Sequence, residues 1–352
     1  MKMETVDNSS TVETGSNGGI DGLRSPPFFI VGCTRSGTTL ISRILDGHSR
    51  LAVYHESHFY HLLRQDLHRY GDLRQTANLR RFVADIREVL RRQRKMEPPE
   101  EREFLDALVA PTFEGVLATV LQLYAGMHGK PRGGDKTPGH HSYLQEITEK
   151  LPQSPVIFVM RDPRDVVLAI REKFGISLKG ATALWNAAFV SYKKFSHRVH
   201  LVQYEGFVRQ PTQGVEAICA YMGERYESDM LRFHERIPDH LARIRYNQDL
   251  LGPVDARHIG RFREMPPREI GRIEAACAVG MEAMGYDFIG AAPNVLTIPL
   301  STRFDFVMDR LRYYRWDWGR WRRGWTRWKI VLRLRARYFL SLAWLRDRGE
   351  RT

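Results

Sequence analysis

The sequence contains few cysteines, and none of them is spaced like the ligands of a metal site. Cys33, Cys219 and Cys277 are the three cysteines in 352 residues, which is too few and too scattered for a disulfide framework. No CxxC motif and no His/Cys pair has metal-ligand spacing. These absences argue against a disulfide-stabilised scaffold and a zinc module, and they indicate a reducing compartment.

Long apolar runs and a secretory leader are also missing. No uncharged apolar segment reaches the ~18–20 residues needed to span a bilayer. Met1–Arg24 is rich in Ser, Thr, Asn and Gly, and it has neither a basic n-region nor an apolar h-region. We therefore predict a disordered tail over residues 1–25, no signal peptide or transmembrane helix, and a cytoplasmic location.

Positive charge is in excess, and most of the excess lies near the C-terminus. The formal net charge is +13, and the segment from Arg303 to Thr352 holds 15 Lys or Arg against 5 Asp or Glu. Six of the seven tryptophans lie in the same segment. This shift in composition predicts a boundary near residue 295, with a globular domain over 26–294 and a basic tail over 295–352.

Apolar residues of the basic tail recur mostly every three or four positions, which predicts an amphipathic helix with a Trp-rich face. Gly319 and Gly324 each weaken that helix by about 1 kcal/mol, so a break is compatible with the pattern. A Trp/Arg helix is typical of an anionic membrane surface, and we expect residues 303–345 to bind one. Packing on the rest of the chain, or on a second subunit of a homodimer, is the alternative. Nucleic acid is disfavoured as a partner because the apolar stripe is regular.

Strands and helices alternate along the rest of the chain. Buried strands are predicted at Phe28–Val31, Ala52–Tyr54, Pro155–Met160 and Val199–Tyr204, with helical patterns between them. Such alternation is typical of an α/β fold with a central parallel sheet. The predicted architecture is a P-loop-like three-layer sandwich, followed by the basic amphipathic helical tail.

The first strand leads into a glycine-rich loop, Gly32–Thr39 (GCTRSGTT), and then into a helix. Gly32 and Gly37 allow a tight turn, so that backbone N–H groups and the helix N-terminus can face an anion. Arg35 adds a fork of donors suited to oxygen anions, and two threonines add hydroxyls. Thr38 stands where the triphosphatase loop G-x-x-x-x-G-K-[ST] has its Lys, which argues against hydrolysis of ATP or GTP.

A second anion motif, R-D-P-R-D-V-V-L-A (Arg161–Ala169), follows the strand Pro155–Met160. A guanidinium just past a strand end lies where α/β folds bind ligands. Arg161 can bind a phosphate there through two donors. Asp165 is predicted to cap the helix that follows.

The segment Thr34–Thr39 resembles the 5′-phosphosulfate loop of sulfotransferases that use PAPS (3′-phosphoadenosine 5′-phosphosulfate). The form with Arg at position 35 is similar to that of the bacterial and tyrosylprotein enzymes. Arg161–Ala169 resembles the family's 3′-phosphate motif R-x-P-x-D-x-x-x-S, except that Ala169 replaces the Ser. The missing hydroxyl should weaken donor binding by about 1.5–3 kcal/mol unless another group substitutes. The two motifs in this order, about 125 residues apart, are far more specific than either alone.

Weaker matches extend the resemblance over about residues 26–290. Asp135–Pro138 resembles the family's K-[TD]-P element, and Tyr204 with the Glu after it resembles the Y-E-D-L segment, whose Tyr touches the adenine. His258–Phe262 resembles the late G-R/K-W loop that closes over the 3′-phosphate, and Met284–Tyr286 resembles the L-G-Y that ends the domain. The resemblance implies donor contacts from Arg35, Ser36, Gly37, Thr38, Thr39, Arg161, Tyr204, Gly260 and Arg261.

The resemblance implies in-line transfer of a sulfuryl group from PAPS to a hydroxyl of a carbohydrate, a lipid or a tyrosine, without a metal and with PAP as product. Glu56, 21 residues after Arg35, stands where the tyrosylprotein enzymes carry their Glu base, and His55 and His58 are alternatives. Arg35 is expected to stabilise charge on the leaving phosphate, and Lys136 to bind the sulfuryl oxygens.

The predicted membrane contact of the tail favours a lipid-linked acceptor, and the helical segment 58–129 is expected to shape the acceptor pocket. A nucleotide kinase-like P-loop enzyme is one alternative function, and Thr38 argues against it. A non-catalytic protein that binds PAP or membranes is another, suggested by Ala169; Arg35, Arg161 and Glu56 argue against it.

Overall fold

The computed structural model describes residues 25–93, 95–236 and 250–290. The predicted N-terminal tail, apart from Ser25, and the basic tail over 295–352 lie outside these residues. The boundary near residue 295 and membrane contact through 303–345 therefore remain predictions. Among the helices of the described ranges, none combines the length and hydropathy needed to cross a bilayer.

A five-stranded parallel sheet forms the centre of the fold, in the order β2-β3-β1-β4-β5. Four of the strands fall on predicted segments, which confirms the parallel α/β architecture. The strands are β1 (Phe28–Gly32), β2 (Leu51–His55), β3 (Arg132–Lys136), β4 (Val156–Met160) and β5 (His200–Gln203).

Helices cover both faces of the sheet, as predicted for three layers. They are α1 (Thr38–Asp46), α2 (Phe59–Leu63), α3 (Thr76–Gln93), α4 (Glu101–Asp106), α5 (Phe113–Met127), α6 (Leu144–Lys150), α7 (Pro163–Phe174), α8 (Leu178–Phe195), α9 (Tyr204–Arg209), α10 (Pro211–Met222) and α11 (Pro267–Ala283). Short 3₁₀ segments are Arg64–Arg69, Pro138–Tyr143, Ser196–Arg198, Ser228–Arg236 and Arg261–Glu264.

Alternate residues of β1 enter the two hydrophobic layers, as the period of a strand requires. Phe28 and Ile30 pack in the layer that contains α1, α9 and α10. Phe29 and Val31 pack in the larger layer, which contains α3, α5, α7, α8 and α11. All four side chains are fully buried, so β1 carries its following loop on a rigid central strand.

The sequence pattern does not predict β3, whose residues RGGDK include two glycines and three charged side chains. Tertiary packing explains this composition. A Cβ atom at Gly133 would lie 2.1 Å from the Leu121 carbonyl oxygen on α5, and one at Gly134 would lie 2.4 Å from the ring of Phe28. Because only glycine fits at these two positions, β3 lacks the apolar residues that identify a buried strand.

The helix α7 corrects one local prediction. Its N-cap is Asp162, whose carboxylate accepts a hydrogen bond from the Arg164 N–H at 2.8 Å. Asp165 is not the cap, because the helix already begins at Pro163, a residue well suited to the first helical position. Asp165 therefore lies within the first turn, and its carboxylate is available for contacts outside the helix.

Candidate active site

The predicted site residues meet at one edge of the sheet. Each strand ends at or next to one of them: β1 leads into the Gly32–Thr39 loop, β2 into Glu56, β4 into Arg161 and β5 into Tyr204, while β3 ends on Lys136. The strands are parallel, so their carboxyl ends lie together, where α/β folds bind ligands. The structure thus brings together residues that are far apart in sequence.

The glycine-rich loop packs closely against its surroundings. Gly32 has φ 146°, and a Cβ there would lie 2.2 Å from the Val159 carbonyl oxygen. Gly37 has φ 97° at the N-terminus of α1, and a Cβ there would lie 2.5 Å from the ring of Tyr204. Ser36 and Thr38 are buried in this loop. The free N–H groups of the first turn of α1 make this loop a candidate anion-binding element.

Lys136 connects this loop to the end of β2. Its side chain is fully buried, and Nζ donates hydrogen bonds to Glu56 Oε1 at 2.8 Å and to His55 Nε2 at 2.9 Å. A longer contact of 3.4 Å joins Nζ to Thr39 Oγ1 in the first turn of α1. The ammonium consequently lies between the anion-binding element and the Glu56 carboxylate.

The pKa values of these groups reflect burial and their mutual charge. Burial acts to raise the pKa of Glu56, but Lys136, with His58 and His55, outweighs it and holds that pKa well below its usual range. Burial, followed by the Lys136 charge, lowers the pKa of His55 well below its usual value. Burial also lowers the pKa of Lys136, which Glu56 opposes. The cluster thus combines a carboxylate, its lysine partner and a neutral imidazole.

The segment around Glu56 has an unusual backbone. Glu56 has φ 57° and His58 has φ 54°, a left-handed conformation that is uncommon for residues other than glycine. The second carboxylate oxygen, Oε2, lies 3.8 Å from His58 Nε2, and the Glu56 side chain is 41% exposed. One oxygen therefore faces Lys136 while the carboxylate stays accessible to a molecule bound from outside.

Arg161 links the second motif to the first. Its guanidinium lies 4.7 Å from the centre of the Tyr204 ring, and Nη1 donates to the Arg35 carbonyl oxygen at 3.4 Å. Its own carbonyl accepts a 2.8 Å hydrogen bond from Trp185 Nε1 on α8. Sequence reasoning missed Trp185, because a buried Trp in an apolar helix face gives no sign of what its N–H contacts. Ala169, two turns into the motif, is buried.

The loop His258–Phe262 is fixed to α7 by Asp165. The N–H groups of Gly260 and Phe262 donate to its buried carboxylate at 2.8 and 2.9 Å. Arg161 Nη2 lies 3.4 Å from the same carboxylate, so this loop is beside Arg161. The Arg261 guanidinium pairs with Glu172 at 2.9 Å on the surface, a contact worth about 0–1 kcal/mol that costs little to exchange for a ligand.

A buried ion-pair network joins the start of α7 to α11, and the sequence did not predict it. Arg164 pairs with Asp162 at 2.7 Å and with Glu274 on α11 at 2.6 Å. Its guanidinium also lies 4.0 Å from the centre of the Phe262 ring. Arg and Asp flank Pro163 in the motif, but the Glu274 partner is 110 residues further along the chain, so no local pattern reveals it.

Comparisons with known proteins agree with the predicted fold and family. A family model described as "Sulfotransferase family" matches residues 26–228. The sulfotransferase domain of the Synechococcus PCC 7002 olefin synthase is similar at TM-score 0.50 and 19% identity, over 76% of this chain and 97% of that one. The sulfotransferase domain from the curacin biosynthetic pathway is similar at TM-score 0.52 and 17% identity, over 75% and 99%. The family match covers more than half of the chain, and the structural similarities concern the fold.

Proposed function

The chain belongs to the sulfotransferase family and is a transferase of sulfur-containing groups, and on this premise we propose that it transfers the sulfuryl group of PAPS to a hydroxyl acceptor. The observation that carries this proposal is the position of Lys136. Its buried ammonium contacts both Thr39, in the anion-binding turn, and the Glu56 carboxylate. A cation between an anion loop and a base is what sulfuryl transfer requires.

Two anion-binding elements side by side favour a nucleotide with two separate phosphate groups. In the proposal, Arg35 and Ser36–Thr39 bind the phosphosulfate, while Arg161 and the His258–Phe262 loop, with Gly260 and Arg261, bind the 3′-phosphate. Tyr204 contacts the adenine. Within the described ranges, the buried Nε of Arg161 has no hydrogen-bond partner, and a phosphate oxygen would supply one.

The reaction follows from the roles assigned to these groups. The acceptor oxygen forms a bond to sulfur as the bond from sulfur to the bridging phosphate oxygen breaks, and that electron pair passes to the phosphate. Arg35 stabilises the charge on this leaving group, and Lys136 stabilises the sulfuryl oxygens. The acceptor proton goes to the Glu56 carboxylate.

Donor binding should make Glu56 a stronger base. The sulfuryl oxygens compete with Glu56 for the Lys136 ammonium, which otherwise keeps the carboxylate pKa low. Weakening that ion pair raises the pKa toward the range in which a carboxylate accepts a proton effectively. His55 is a weaker candidate, because its Nε2 lone pair already accepts from Lys136.

Calorimetry with PAP and with ATP tests the donor assignment. We expect wild-type protein to bind PAP tightly and ATP not measurably, since the loop has Thr38 in place of the lysine that reaches the β/γ-phosphates. Arg161→Ala should lose PAP affinity, whereas Arg74→Ala, which removes an exposed surface arginine, should not. Comparable binding of ATP and PAP would favour the kinase-like alternative.

The acceptor is proposed to be a hydroxyl of a carbohydrate, a lipid or a tyrosine, with a lipid-linked hydroxyl favoured by the basic, Trp-rich tail. We expect the full chain to sediment with anionic vesicles and not with neutral ones. A chain truncated at residue 295 should remain in solution, and its PAP binding reports whether it is folded. Equal sedimentation of a folded truncation and the full chain would contradict the membrane proposal.

A further inference from the structure

The proposed base lies in the turn His55–His58 (the base-bearing turn). Backbone N–H groups of this turn contact the end of β3 and the residue after it. The Glu56 N–H donates to the Lys136 carbonyl at 2.7 Å. The Ser57 N–H donates to Asp135 Oδ1 at 3.1 Å, and the His58 N–H lies 3.4 Å from Thr137 Oγ1. All three donors of the turn's left-handed segment are thereby engaged. Such a backbone persists only where the surrounding structure enforces it.

Carbonyl groups of the base-bearing turn accept hydrogen bonds from Gln93, the last residue of α3, and from Lys95, which follows that helix. Gln93 Nε2 donates to the Ser57 carbonyl at 2.7 Å, and Gln93 Oε1 accepts from the Tyr54 hydroxyl at 2.6 Å. Lys95 Nζ donates to the Glu56 carbonyl at 3.1 Å and also to the carbonyl of His55. The same ammonium lies 5.3 Å from the centre of the Tyr54 ring.

We propose that Gln93 and Lys95 are positioning residues for sulfuryl transfer, which fix the backbone of the base-bearing turn so that the Glu56 carboxylate is directed at Lys136. This inference rests on the proposed function of Glu56. Without these two side chains, the carbonyls of His55, Glu56 and Ser57 lose the side-chain donors described above, and the left-handed residues can relax toward the commoner extended conformation. Such a relaxation would turn the carboxylate away from the reaction centre.

The charge of Lys95 gives the proposal a pH signature. Burial of its ammonium lowers the pKa of Lys95 to about 8. The charges of Glu56 and Asp135 act to raise this pKa, and the charge of Lys136 lowers it further. Lys95 is therefore charged below about pH 8, where its hydrogen bonds to the carbonyls are charge-assisted, and it becomes neutral as the pH rises further. Wild-type kcat should fall across this range. Lys95→Arg, which stays charged, should not show that decline.

The experiment compares full-length wild type with Lys95→Met and Lys95→Arg. Lys95 as a whole is exposed, so its replacement leaves the core intact. Near neutral pH we expect Lys95→Met to lower kcat by about 10- to 100-fold, the order expected for a catalytic group misplaced by ~1 Å. The dissociation constant for PAP should change less than about twofold, and Lys95→Arg should restore most of the rate. Arg91→Met removes a nearby exposed cation, which lies on α3 and is paired with Glu88, and should behave as wild type.

Hydrogen exchange provides a readout that does not depend on activity. The amides of residues 56–58 should exchange about 10-fold faster in Lys95→Met than in wild type or Lys95→Arg, with PAP still bound normally. Unchanged exchange together with unchanged kcat would overturn the proposal, as would equal losses of kcat and PAP affinity. If the amides exchange faster in Lys95→Met but the wild-type protein transfers no sulfate, the positioning contact is supported and the proposed function is contradicted.

Discussion

Arg35→Ala is expected to lower kcat for sulfuryl transfer by about 10³-fold or more while the protein remains folded. The proposed role of Arg35 is to stabilise charge that develops on the leaving phosphate, and removal of such a group has effects of this order. The contact from Arg161 is to the Arg35 backbone carbonyl, which alanine retains. The 3′-phosphate half of the site should therefore survive the substitution.

The measurement is the initial rate at saturating PAPS, with circular dichroism and thermal unfolding as checks of the fold. Arg74→Ala is the matched control, because Arg74 is 80% exposed and pairs only on the surface with Asp72. Wild-type activity in a folded Arg35→Ala protein would contradict the assignment of the glycine-rich loop to the phosphosulfate.

Glu56→Gln should lower kcat by about 10²- to 10⁴-fold, the range for loss of a general base. The affinity for PAP should change little, because the amide oxygen of glutamine still accepts a hydrogen bond from Lys136 and no donor contact is removed. The measurement is the ratio of the kcat effect to the change in the PAP dissociation constant. Equal activity would move the base to a histidine, with His58 next to be tested.

The pH profile separates the free enzyme from the donor complex in the same experiment. Glu56 acts as a base only when deprotonated, and in the free enzyme its pKa is held well below the ordinary value. On the acid side, kcat/KM should therefore fall only at a pH below the ordinary pKa of a glutamate. The acid limb of kcat should lie at higher pH, because bound donor draws Lys136 away from the carboxylate. Neither limb should remain in the Glu56→Gln variant.

The parts of the fold and site that could be predicted are those encoded locally. Glycine spacing identifies the strand–loop–helix around Arg35. Charged residues just after an apolar strand identify the R-D-P-R-D segment after β4. The order of these motifs was enough to identify the family. The helices on both faces of the sheet followed from the alternation of elements.

What could not be predicted depends on contacts between distant segments. β3 lacks an apolar pattern because Phe28 and α5 occupy the space that side chains would need. The hydrogen bond from Gln93 to the Ser57 carbonyl of the base-bearing turn joins residues 36 positions apart. Its chemistry, an amide binding a carbonyl, leaves no signal in composition or periodicity. Arg164 and Glu274 are likewise paired only by the tertiary fold.

Transfer of labelled sulfate from PAPS is the most direct test of the central claim. The full chain is incubated with labelled PAPS and a total extract, which is then separated into lipids, glycans and peptides for mass spectrometry. We predict that label enters one of these fractions with wild-type protein and not with Arg35→Ala. A wild-type protein that binds PAP tightly and labels none of the three fractions would contradict the claim and indicate a non-catalytic PAP-binding protein.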